Sequence, residues 1–261
     1  MDLGLKDKLV VVTGGGAGIG AGITRASLAE GARVVVLARH SENTDAFMAE
    51  QKAAGAACDF VEAHLEDTER CRTAIAEIEA KHGDIFGLVN NAGVNDQVGL
   101  ANGSVEKFVQ SLYMNLVHCY ALAHYALGSL KRTRGAIVNI SSKVAVTGQG
   151  GTSAYAAAKA GQLGLTREWA AELLTDGIRV NAVLPAEVMT PLYDRLLKMM
   201  DDPEAKLKEI ENKIPLGHRM TTQAELAAAV VFLLSPTQSG HTTGQILHVD
   251  GGYVHLDRML T

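Results

Sequence analysis

Gly135-Ala-Ile-Val-Asn-Ile-Ser-Ser142, followed after a glycine-rich loop by Tyr155-Ala-Ala-Ala-Lys159, decides how this chain is read. Ala136 to Ile140 is a short apolar, β-rich run and reads as a buried strand. Ser141 and Ser142 stand where that strand runs out, and Tyr155 opens an alanine-rich helix. One helical turn separates Tyr155 from Lys159, so the two share a face and the ammonium lies beside the phenol. A free phenol titrates near about 10, and a neighbouring cation favours the phenolate and lowers that value. Such a tyrosine passes a proton to or from a hydroxyl or carbonyl, and Ser142 supplies a hydroxyl to hold the substrate oxygen. Taken alone, the YxxxK spacing is common and favours an ordinary exposed Tyr and Lys on a surface helix; the motifs elsewhere in the chain overturn that reading.

Outward from this stretch the chain alternates strand and helix almost to its end. Strands are expected at Lys8–Thr13, Arg33–Ala38, Ala57–Ala63, Ile85–Asn90, Ile178–Leu184 and Gln245–Val249. Helices are expected to follow the glycines after Thr13 and to cover about 45–54, 68–81, stretches of 105–131, 191–213 and 223–234. Near-strict β/α alternation implies a parallel sheet with helices on both faces. The fold class is therefore α/β, a single-domain, Rossmann-type doubly wound sheet over residues 1–261. Residues 190–213 form a helical insertion at the substrate loop.

Composition narrows the function. With 24 Lys+Arg against 29 Asp+Glu the net charge is −5, and the basic residues are scattered, which disfavours nucleic acid. Hydrophobic residues make up 47%, ample for a core. No apolar run approaches a membrane span and no signal peptide precedes the first strand. The three cysteines, Cys58, Cys71 and Cys119, show no CxxC spacing and point to a reducing, cytoplasmic setting. The nine histidines have no ligand spacing, so no metal is expected.

The first glycine cluster, Gly14 to Gly20, follows a strand and opens a helix, which is the context of a dinucleotide fingerprint. Glycines let the backbone approach a pyrophosphate, and the helix N-terminus offers free N–H groups and positive dipole. The second strand ends in Ala38-Arg39-His40 with no carboxylate until Glu42. Arg39 can pair with a 2′-phosphate, which favours NADP; stacked on adenine instead, it suits NAD as well.

Thr13-Gly14-xxx-Gly18-x-Gly20, Asn90-Asn91-Ala92-Gly93, Asn115, Ser142, Tyr155-xxx-Lys159 and Arg179-Val-Asn-Ala-Val-Leu-Pro185 occur in this order. As an ordered set over essentially the whole chain they resemble the short-chain dehydrogenase/reductase family. The resemblance implies that Tyr155 is the general acid/base, that Lys159 lowers its pKa and binds the nicotinamide ribose, and that Ser142 positions the reacting oxygen. It also implies that Asn115 holds a water in a proton relay from Lys159. It assigns the cofactor pocket to Gly14, Gly16, Gly18, Ile19, Gly20, Arg39, His40, Leu65, Asn91, Ala92, Gly93, Pro185, Val188 and Thr190, with Tyr155 and Lys159. The family is commonly tetrameric, and small residues on the Tyr155 helix and around Asn115 allow close helix packing, so a homotetramer is expected.

Two departures bear on the substrate. His64-Leu65 stands where the family often has Asp-Val, and Pro185-Ala186-Glu187 where Pro-Gly is usual. Glu187 puts a carboxylate at the nicotinamide end, costly beside an acyl chain or steroid but matched by a polyhydroxylated substrate. The alternative is that Glu187 faces solvent or a basic neighbour. Asn95, Asp96, Gln97, Lys143 and Gln149 lie in loops at the carboxyl ends of strands, where substrates bind in this fold. The segments Gly93–Asp96, Pro185–Tyr193 and Gly251–Arg258 resemble the L-fucose dehydrogenase branch of the family. That branch oxidises the anomeric hydroxyl of L-fucose and of sugars such as D-arabinose to the lactone. Asn95, Lys143, Gln149 and Glu187 are the expected substrate contacts, Glu187 foremost; His255, Asp257 and Arg258 either line a pocket or form a solvated tail. A 3-oxoacyl or other carbonyl reductase, and a cofactor-binding module without catalysis, are the competing readings.

Overall fold

The structure is a computed structural model, and it describes residues 1–256. Asp257 and Arg258 lie outside the described residues. Seven strands are β1 (Leu9–Thr13), β2 (Arg33–Ala38), β3 (Cys58–Glu62), β4 (Gly87–Asn90), β5 (Ala136–Ile140), β6 (Arg179–Pro185) and β7 (Ile246–Val249). They form one sheet in the order β3-β2-β1-β4-β5-β6-β7, and every pairing is parallel.

Every residue of β1 is buried, because helices cover both faces of the sheet. Its side chains alternate between two cores: Leu9 and Val11 on one side, Val10 and Val12 on the other. The first core is closed by α3 (Thr68–His82), α5 (His118–Thr133) and α6 (Ser153–Glu172), through Ile75, Leu122 and Trp169. The second is closed by α1 (Gly18–Ala29) and α9 (Gln223–Leu234), through Ile23, Leu226 and Val230. Burying each such aliphatic side chain contributes about 1.5–3 kcal/mol.

Chain direction away from β1 reverses between β2 and β4, which opens a crevice at the carboxyl ends of the central strands. Element bounds depart from the expected ones where local chemistry sets them. Helix α2 (Glu42–Ala53) starts earlier than residue 45 because the Ser41 hydroxyl accepts from Thr44 N at 3.2 Å. The insertion at 190–213 is two helices, α7 (Pro191–Lys198) and α8 (Pro203–Asn212). It breaks there because Asp202 caps α8, accepting from Ala205 N at 3.0 Å, with Pro203 in the first turn. Between α4 (Val105–Leu112) and α5 the helix widens into a π-turn, Tyr113–Val117, which the sequence pattern does not reveal.

Candidate active site

A cleft of about 730 Å³ runs across the carboxyl ends of the central strands. Its floor at β1 is the glycine loop. Gly14 and Gly18 have φ of +63° and +52°, which other residues rarely adopt. A Cβ on Gly20 would fall on the Gly14 carbonyl and lie 2.6 Å from Asn91 Nδ2. One on Gly16 would lie 2.7 Å from Thr44 Cγ2, so Gly16 and Gly20 serve close packing behind the cleft wall. Helix α1 carries no side-chain cap at Ala17 and no acidic residue in its first turn. Its leading N–H groups therefore face the cleft without an internal acceptor, as a pyrophosphate site requires. The residues present fit a dinucleotide.

At the adenosine end Ala38, Arg39, His40, Ser41, Asn43, Thr44 and Leu65 line the cleft, and among the described residues Arg39 forms no ion pair. His40 is taken: its ring lies 2.7 Å from Asp45 Oδ1, which raises its pKa, and 4.7 Å from the Phe60 ring. Nothing in the sequence pattern singles out Ser41, Asn43 and Thr44 beyond the N-cap signal of Ser41 before Glu42, which puts the start of α2 at the end of β2.

At the other end Asn91, Ala92 and Gly93 form the turn after β4. Asn91 Nδ2 donates to Thr13 O at 2.9 Å, which holds this turn against β1. Ser142, Tyr155, Lys159, Pro185, Val188 and Thr190 line the same end. Ser141 Oγ donates to Lys159 O at 2.8 Å and so fastens α6 to the end of β5. Asn115 sits in the π-turn, fully buried behind Gly93 rather than on the cleft surface. Its Oδ1 accepts from Val94 N at 2.7 Å.

The electrostatics differ from the expectation drawn from spacing. Burial raises the Tyr155 phenol above its ordinary range, and the hydrogen bond with Ser142 pulls it down only in part. Lys159 does not lower it here. Its Nζ donates to Ile140 O at 2.8 Å and lies 5.7 Å from the Tyr155 ring centroid. Burial drops the Lys159 pKa to about 8. The sequence places the two side chains on one face; the packing decides which atoms the ammonium meets.

The candidate substrate residues do not all converge. Asn95 lines the cleft, with its Oδ1 accepting from Gln97 N at 3.1 Å. Asp96 and Gln97 line a neighbouring hollow of about 350 Å³. Gln149 is exposed and outside the cleft lining. Glu187 and Lys143 form an ion pair, each side chain only 13% exposed. Tyr193 Oη donates to Glu187 Oε2 at 2.9 Å, and the Lys143 ammonium lies 4.2 Å from the Tyr253 ring centroid. Glu187 therefore faces a basic neighbour, and it is Tyr193, from α7, that reaches the cleft beside Ala186. Burial and the Glu187 charge push the Tyr193 phenol up. His255 stacks edge-on against His248 at 4.2 Å, outside the cleft lining.

This geometry defines a dinucleotide-binding α/β protein with a serine, a tyrosine and a lysine at one end of the cofactor cleft. A family model described as enoyl-(acyl carrier protein) reductase matches residues 14–254. The chain is 37% identical over 246 residues to L-fucose dehydrogenase of Bos taurus, covering 94% of this chain and 88% of that protein. It is 33% identical over 251 residues to 3-oxoacyl-[acyl-carrier-protein] reductase FabG of Thermotoga maritima, covering 96% and 99%. Among solved structures, that of Cj0485 dehydrogenase superposes with a TM-score of 0.94 at 45% identity, covering 100% of this chain and 99% of that one. The chain belongs to the short-chain dehydrogenase/reductase family, and with it to the oxidoreductases that use NAD(P).

Proposed function

We propose that this protein is a sugar dehydrogenase that oxidises the anomeric C1 of an aldose of the L-fucose and D-arabinose type to the lactone. The observation that carries the proposal is the buried polar cluster of Lys143, Glu187 and Tyr193, next to Ser142 and the Ala186 turn. A cleft for an acyl chain gains nothing from a desolvated ion pair directly behind its wall, whereas a sugar hydroxyl can pair with the Tyr193 hydroxyl that this ion pair holds at the cleft. The 37% identity to bovine L-fucose dehydrogenase supports the same reading.

In this reading NAD(P), bound in the cleft, supplies the hydride acceptor. Tyr155 as phenolate takes the proton of the C1 hydroxyl, and Ser142 donates a hydrogen bond that holds the same oxygen while its charge changes. Lys159 binds the nicotinamide ribose and presents its ammonium to the reacting end of the cleft, and Asn115 fixes the turn beside it. Asn95 and Tyr193, which line the cleft, meet the sugar ring, and Glu187, backed by Lys143, orients the Tyr193 hydroxyl toward it. We assign residues 190–213 to the substrate loop, because Tyr193 on α7 joins that cluster. NADP is the preferred cofactor on the strength of Arg39, with NAD also accepted; the neighbouring carboxylate of Glu62 weighs toward NAD. A homotetramer in the cytoplasm completes the proposal. Val105, Val109 and Tyr113, exposed at i, i+4 and i+8, offer a face for helix packing between copies.

Reduction of a 3-oxoacyl substrate is the second reading, favoured by the similarity to FabG. Initial rates of nicotinamide reduction across a panel of aldoses, with NADP and NAD side by side, separate the two. Turnover of L-fucose and D-arabinose but not D-glucose is the expected result. A dead panel with activity on 3-oxoacyl thioesters would transfer the assignment to the reductase. Light scattering of the purified protein tests the tetramer, which a monomeric mass would exclude.

A further inference from the structure

Gln162 follows Lys159 by three residues on α6 and is fully buried. A buried amide is costly unless its polar atoms are paired. Its Oε1 accepts from Lys159 Nζ at 3.3 Å, while its Nε2 donates to the Asn115 carbonyl at 3.4 Å and to Cys119 Sγ at 3.1 Å. Chemistry fixes which way the amide points, since an ammonium only donates and a main-chain carbonyl only accepts. The Asn115 side chain is committed elsewhere, accepting from Val94 N and donating to Ser111 O at 3.0 Å. Lys159 Nζ has three N–H groups. One goes to Ile140 O at 2.8 Å and one to Gln162, so tetrahedral geometry fixes the direction of the third. Space is equally constrained: a Cβ on Gly93 would lie 3.3 Å from Lys159 Nζ and 2.9 Å from Asn115 Oδ1.

We infer that Gln162 is a positioning residue whose amide ties Lys159 Nζ to the main chain of Asn115, aiming the remaining ammonium N–H at the reacting end of the cleft. The inference rests on Lys159 and Tyr155 being the working groups proposed above. A leucine would fill the same space against apolar neighbours, so packing alone does not call for an amide. What calls for one is the pair of polar groups it joins. The titratable groups that bear on Lys159 are Tyr155 on its own helix and Cys119 and His118 on α5. Strand β5, Ala136–Ile140, has no titratable side chain and gives Lys159 the Ile140 carbonyl, and in the π-turn Tyr113 is exposed and Asn115 does not ionise. Both α5 groups are neutral near pH 7, His118 because burial lowers its pKa to about 4 and Cys119 because burial raises its own.

The test is the titration of the Lys159 side chain by NMR in lysine-labelled full-length protein, its resonance assigned from a Lys159→Met sample. Gln162→Leu removes the acceptor and should lower the titration midpoint by about one pH unit. Gln162→Glu replaces it with a charged one and should raise the midpoint. Opposite displacements from one position are not produced by a general loosening of α6. With the sugar substrate, Gln162→Leu should also cut turnover about tenfold or more with little change in KM. Midpoints that stay put, or move in the same direction in both variants, overturn the inference. A displaced midpoint with unchanged turnover overturns it too, and Lys159→Met then locates the failure. If that variant also keeps its turnover, the tetrad reading is what failed; if it is inactive, the positioning role alone is lost.

Discussion

The hydroxyl of Thr13 accepts hydrogen bonds from both Asn91 N and Ala92 N, each at 2.9 Å, and donates its own proton to Val89 O at 3.3 Å. One side chain thus joins the ends of β1 and β4 where the cofactor cleft begins. Thr13→Val keeps the shape and strands two backbone N–H groups. The expected cost is about 1–3 kcal/mol of unfolding free energy, read from urea denaturation, together with weaker cofactor binding. An unchanged urea midpoint would show that the turn does not depend on this hydroxyl.

Tyr155→Phe removes the phenol and leaves the ring. Turnover should fall by about 10²–10⁴-fold, with the thermal midpoint preserved. Steady-state rates beside a melting curve distinguish this from misfolding.

Glu187→Gln leaves the Lys143 ammonium without its counter-charge and weakens the Tyr193 bond. KM for L-fucose should rise about tenfold while KM for the cofactor stays within a factor of about two. A rise in the cofactor KM alone would place Glu187 outside the sugar site.

Arg39→Ala should raise KM for NADP about tenfold and leave that for NAD nearly unchanged. Equal effects on the two would mean that Arg39 packs on adenine and does not read the phosphate.

Lys159 also makes stability depend on pH. Its folded pKa, about 8, lies below the ordinary 10.5, so between these values the unfolded chain binds more protons than the folded one. Unfolding free energy from this group therefore rises with pH across that window. Tyr155 acts in the opposite sense above its ordinary 10.0, because its folded pKa is raised. Urea midpoints at pH 7.5 and about 9.5 should show the parent gaining on a Lys159→Met variant. Parallel midpoints would mean that Lys159 titrates normally.

Much of this was legible in the sequence because it is local. Strand and helix alternate with distinct periods, Gly14 to Gly20 bridges the first pair, and Tyr155 and Lys159 share a helical face whatever surrounds them. Most of the expected cofactor residues do line one cleft. The rest was hidden because it is non-local or breaks the period. The π-turn at Tyr113–Val117 adds a residue that a 3.6-residue pattern cannot display, yet it seats Asn115. Lys143 and Glu187 are 44 residues apart, and nothing in either segment says that they neutralise one another. Gln162 reads as one more polar residue on an alanine-rich helix until its neighbours are known.

The bare first turn of α1 gives the protein a second dependence on its cofactor. Helices α2, α3, α8 and α9 carry their own side-chain caps, whereas α1 leaves its leading N–H groups for a pyrophosphate. A dinucleotide that binds only the folded chain adds about 2.7 kcal/mol of stability at a hundred times its Kd. The stability of the folded chain then follows the concentration of free dinucleotide. A fall from a hundred to ten times Kd would remove about 1.4 kcal/mol of that stability while the site stayed nearly full.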